Sequence, residues 1–153
     1  MKTNTFIAEG GASTLSKTHQ MAGGSCINDK EEGIILSYYK AQEIARNHKG
    51  TNCCIFYKYV AEKEILSLYF DPKDLYQIDS NSTGIDLSHY DDAIIYSLTW
   101  SGSTFTQVRS RLVNTERKDT PNLYVYLTQD TPDTKIWEAV SNKLDFNTKF
   151  LQR

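Results

Sequence analysis

No stretch of this chain approaches the ~20 consecutive apolar residues that a membrane-spanning helix requires. It also has no charged start leading into an apolar run of roughly 7–15 residues, so a secretory signal is not expected and a cytosolic protein is. Charge of one sign is missing too: 17 Lys and Arg stand against 19 Asp and Glu, a net charge of −2. With no overall positive field, nucleic acid is a disfavoured partner and a membrane surface is not expected to be one. Cysteine is scarce, and its three copies, Cys26, Cys53 and Cys54, are an odd number. The adjacent pair would point to opposite faces of a strand and cannot form an ordinary bridge. Histidine is equally thin, with His19, His48 and His89 one per segment and no HxH or HExxH pairing. No metal or cofactor is implied, and repeats and low-complexity tracts are absent.

What the chain does have is aromatic weight, with 10 Tyr, 6 Phe and 2 Trp among 153 residues. That content and length suit one domain able to bury a core without disulfides or metals. The abundance of Asn, Lys, Ile and Tyr fits an AT-rich genome such as that of a low-GC bacterium or a phage. Residues 1–27 read as a flexible or partly ordered Gly/Ser/Thr-rich arm, and residues 28–153 as a single α+β domain.

Within that domain, Asn28 or Asp29 followed by Glu31 or Glu32 resembles a capping box. Ile34, Tyr38, Ala41 and Ala45 then recur at helical spacing, which predicts a helix over about 30–48. The run Cys53–Phe70 reads as a β-hairpin turning at Ala61–Glu64, with Ile55, Tyr57, Tyr59, Leu66, Leu68 and Phe70 on one apolar face. Alternation predicts further strands at 92–100, 104–113 and 123–127, the second of these with a helical alternative through Phe105, Val108 and Leu112. Thr131 before Pro132 caps a C-terminal helix over about 132–144. The expected fold is therefore an antiparallel sheet of about five strands with both helices packed on one face.

Three constellations bear on function. Arg109 and Arg111 would alternate along a strand beside Tyr124, Tyr126, Phe56, Lys58 and Tyr69, a mixture enriched at protein interfaces. The favoured expectation is a non-enzymatic binding protein that engages a protein partner, or its own twin, through this aromatic and Arg-bearing sheet face. Gly11, Lys17 and Thr18 match a phosphate-binding loop except that Ser16 stands where the second glycine belongs. They support the alternative of a nucleotide- or phosphate-ligand protein or hydrolase. Flat rings beside arginines also suit single-stranded nucleic acid, the third alternative. His89, near Asp91 and Asp92, is the one acid–base candidate, but no nucleophile motif accompanies it.

Overall fold

The computed structural model describes residues 6, 8–80, 84–113 and 117–142. Its centre is the run Cys53–Tyr57, every residue of which is buried. A strand buried on both faces cannot alternate apolar and polar residues, so it reads as a continuous apolar stretch typical of parallel sheets. Helix α1 (Gly11–Ala22) comes first, followed by the short antiparallel pair β1 (Ser25–Ile27) and β2 (Gly33–Ile35). Helix α2 (Tyr39–Asn47) leads into the central strand β3 (Cys53–Tyr57). Then come α3 (Val60–Ser67), a 3-10 turn at Pro72–Asp74, β4 (Leu75–Gln77), β5 (Asp92–Ile95), α4 (Gly102–Leu112), β6 (Asn122–Val125) and α5 (Pro132–Asn142).

Strands β4-β3-β5-β6 form a four-stranded parallel sheet, with β1-β2 a separate two-stranded sheet. Register places Cys53 beside Asp92 and Asp92 beside Asn122, aligning the strand starts at one edge. Helices cover both faces. Cys54, Phe56, Ala93 and Ile95 face Phe105, Val108 and Leu112 of α4 and Ile136, Trp137 and Val140 of α5. Cys53, Ile55, Tyr57 and Ile94 face Ala41 and Ile44 of α2 and Ile65 and Leu66 of α3.

The expected single antiparallel sheet of about five strands with helices on one face is thus overturned. The hairpin fails at its turn, because Ala61, Glu62, Lys63 and Glu64 are strong helix formers with no glycine or asparagine among them. They open α3 instead, which is the crossover that parallel β3 and β4 require. Leu68, assigned to the buried face of the hairpin, is 65% exposed. The predicted helix over 30–48 is cut back to α2, since residues 33–35 are the strand β2. Asn28 does cap, but it caps a hairpin turn: its Oδ1 accepts the Lys30 and Glu32 backbone N–H groups. The run predicted as a strand over 104–113 is helical through Leu112, with Ser101 Oγ accepting the Thr104 N–H at the start of α4. The C-terminal helix begins at Pro132, where the Thr131 signal put it. Residues 11–22 and 25–27, read as part of a Gly/Ser/Thr-rich arm, form α1 and β1. Among the described residues no helix is long and apolar enough to cross a membrane.

Candidate functional site

Parallel sheets bind ligands in the crevice beyond the carboxyl ends of their strands. Here that edge carries a buried polar network drawn from six segments. Glu62, in the first turn of α3 and fully buried, accepts the Lys58 and Tyr59 N–H groups through Oε2 at 2.9 and 3.1 Å. Its Oε1 lies 2.5 Å from Ser97 Oγ, just beyond β5. Burial pushes the Glu62 pKa up, against the pull of Ser97, the two N–H groups and Lys40.

A second group meets beside it. His19 Nδ1 and the Tyr59 hydroxyl are hydrogen-bonded at 2.8 Å. His19 Nε2 lies 3.3 Å from Asp133 Oδ1 at the start of α5, within ion-pair range but out of line for a hydrogen bond. Asp133 Oδ2 accepts the Thr128 N–H at 2.9 Å and the Lys40 ammonium at 3.3 Å. Burial works to raise the Asp133 pKa, but the contacts with His19, Lys40 and Thr128 outweigh it and hold the carboxyl below its usual value. The Lys40 ammonium also sits 4.9 Å from the centre of the Tyr96 ring. Burial beside Glu62 raises the Tyr59 and Tyr96 phenols, so neither is an activated acid or nucleophile. Alongside runs a groove of ≈ 540 Å³ whose walls include Gln20, Cys26, Lys58, Tyr59, Glu64 and Gln77.

The glycines at the end of α1 make this packing feasible. A side-chain carbon at Gly23 would sit 2.0 Å from Glu62 Oε1, and Gly24 adopts φ +87° with Ser37 O close by. Gly23 O accepts the Tyr96 hydroxyl at 2.7 Å, and Ala22 O accepts the Thr128 hydroxyl at 2.9 Å.

The residues singled out from sequence do not form one face. Phe56 is wholly buried and stacks on Tyr76, their ring centres 5.6 Å apart. Tyr124 and Tyr126 pack around His48, whose Nε2 lies 2.8 Å from the Tyr126 hydroxyl. Burial lowers the His48 pKa against the raising influence of Asp92. Lys58 pairs with Asp79 at 2.8 Å on the groove wall, while Tyr69 follows α3 at the surface. Arg109 and Arg111 project from the last turn of α4, both exposed. Arg117 is structural: its guanidinium bonds the Ser88, Leu112 and Asp91 carbonyls and Asp119.

Gly11, Lys17 and Thr18 lie within α1, not in a loop. Lys17 Nζ is engaged by the Ile27 carbonyl and the Thr18 hydroxyl by Thr14 O. No phosphate cradle forms there. His89 is exposed, its ring 4.1 Å from that of Tyr90 and near enough to Asp86 to interact with its carboxylate, and no hydrogen bond to its ring is found among the described residues. No group of three or more His, Cys, Asp or Glu among the described residues is placed to hold a metal. Sequence reasoning missed Glu62, Ser97, Tyr59, Lys40 and Asp133 as a group. They come from separate elements, so no spacing could have joined them.

No protein-family model matches the chain, and no curated protein matches it. Among solved structures it is similar to one described as the C-terminal part of the Fun30 ATPase domain, at 16% identity and a TM-score of 0.56. The match covers 71% of this chain and 46% of that one, so the chain spans less than half of its neighbour's length. At such identity the likeness bears on the fold.

Proposed function

We propose that this chain is one lobe of a nucleotide-driven ATPase, closing on a nucleotide whose phosphates are held mainly by another lobe. The observation that carries the reading is a doubly covered parallel sheet whose inner strand β5 leads into α4, with Arg109 and Arg111 exposed in the last turn of that helix, at the amino edge of the sheet and away from the carboxyl-edge groove. The likeness to the C-terminal part of an ATPase domain supports it. So does the chemistry of the chain itself. Gly11, Lys17 and Thr18 are absorbed into α1 rather than wrapping a phosphate, which suits a phosphate grip supplied by another lobe. Guanidinium groups suit the remaining task, because their planar fork bonds phosphate oxygens in pairs and stabilises charge during transfer.

In this reading the protein partner is the nucleotide-gripping lobe, met by a helix rather than by the sheet face expected from sequence. A reducing cytosol suits the three buried free thiols Cys26, Cys53 and Cys54. A thermal-shift titration with Mg-ATP tests the reading. At ten times a millimolar Kd, binding stabilises the fold by about 1.4 kcal/mol, a rise of roughly 3–6 °C. Arg109→Ala/Arg111→Ala should abolish that rise, and a rise undiminished in the double variant would count against the assignment.

A further inference from the structure

Helices α2 to α5 are each anchored by large apolar side chains. Phe105, Val108 and Leu112 hold α4, Ile136, Trp137 and Val140 hold α5, Ile65 and Leu66 hold α3, and Ile44 holds α2. The buried residues of α1 are His19, Gln20 and Ala22, two polar side chains and a methyl. Its other moorings are polar as well. Lys17 and Gln20 bond the backbone of Ile27, His19 meets Tyr59 and Asp133, and the Ala22 and Gly23 carbonyls accept hydroxyls from Thr128 and Tyr96. Leu15 and Met21 remain 36% and 40% exposed.

We propose that α1 is a latch over the carboxyl edge of the sheet, docked chiefly by polar contacts, with the Ala22 methyl its one buried apolar group, and released as a unit while the two-sided core stays folded. The reasoning is a difference in kind between anchors. Polar groups leaving α1 regain hydrogen bonds from water, whereas Phe105 or Trp137 leaving the core would expose apolar surface with nothing in return. A 12-residue helix also has little stability of its own once undocked. The geometry suits the motion: a side-chain carbon at Gly10 or Gly11, at the amino end of α1, would meet no neighbouring atom, while Gly24, at φ +87° with its carbonyl accepting the Leu36 and Ser37 N–H groups, stays seated as the pivot. Release would bare the Thr128 hydroxyl, Tyr59 and Asp133 beside the groove, at the side of the sheet where ligands bind. This inference is independent of the proposed nucleotide contact, which lies at the opposite edge of the sheet.

Native-state hydrogen exchange on the full chain is the test. Amides of 15–22 should exchange at least ~100-fold faster than those of β3 and β5, as a separate low-energy opening. His19→Ala should accelerate them by a further ~10-fold or more without altering β3 and β5, and Thr128→Val should act in the same direction from the opposite side of the contact. Equal protection of α1 and β3 in the parent chain would overturn the latch, with no variant needed. Equal acceleration of α1 and β3 in His19→Ala would overturn it as well.

Discussion

Replacing Glu62 separates its role as an acceptor from its role as a charge. In Glu62→Ala the Lys58 and Tyr59 N–H groups and the Ser97 hydroxyl lose their partner in a fully buried site. At about 1–3 kcal/mol for each orphaned group, reduced where Lys58 and Tyr59 regain water, and with a cavity added, the cost is about 3–5 kcal/mol. For a chain of this size that is a loss of roughly 6–20 °C in Tm. Glu62→Gln behaves differently, because an amide matches the protonated acid, its oxygen accepting both N–H groups and its nitrogen donating to Ser97. Its cost is about 1 kcal/mol or less.

Burial raises the Glu62 pKa above its ordinary 4.5. The stability this contributes is therefore fully present below that value and is lost as pH rises through the folded-state pKa. Urea unfolding followed by tryptophan fluorescence should show the parent chain losing stability relative to Glu62→Gln as pH rises. If Glu62→Gln is as damaging as Glu62→Ala at every pH, an ionised carboxylate holds the site and the reasoning is refuted.

Gly23→Ala should cost about 2–4 kcal/mol, since its methyl would meet Glu62 Oε1 at 2.0 Å within an enclosed network; calorimetry checks this. Arg117→Lys keeps the charge but loses most of the fork that bonds three carbonyls and Asp119, for an expected loss of about 2–3 kcal/mol in urea unfolding. Burial pushes the Cys53 and Cys54 thiols up to about 11 and about 12, so alkylation at neutral pH should proceed only through unfolding, with both sites labelling at one rate.

Elements whose signals are local were legible in the sequence. Pro132 after Thr131 marks the start of α5, and alternation located β6 and, within an overlong 92–100, the shorter β5. Strand direction had one signal, the unbroken apolar run Cys53–Tyr57 typical of a strand covered on both faces, but that run is also compatible with one strand of an antiparallel hairpin. The hairpin reading put weight on alternation through Leu66 and Leu68 and too little on the helix-forming turn beside them. Asn28 shows a related ambiguity, since an Asn side chain satisfies backbone N–H groups equally well in a hairpin turn and at a helix start. The polar network at the carboxyl edge was invisible for a different reason. His19 and Asp133 are brought together only by the packing of α1 against α5, and no local pattern encodes that contact.

Nitrogen-15 NMR of the chain titrated with Mg-ATP, with chloride at equal ionic strength as the control, addresses the ATPase-lobe reading most directly. A lone lobe supplying two arginines should bind on the order of 1 mM, about −4 kcal/mol. The predicted result is saturable shifts centred on the Arg109 and Arg111 side chains and the last turn of α4, lost in Arg111→Ala while that variant keeps the parent Tm. Shifts centred on Gly11, Lys17 and Thr18, or none beyond those caused by chloride, would contradict it.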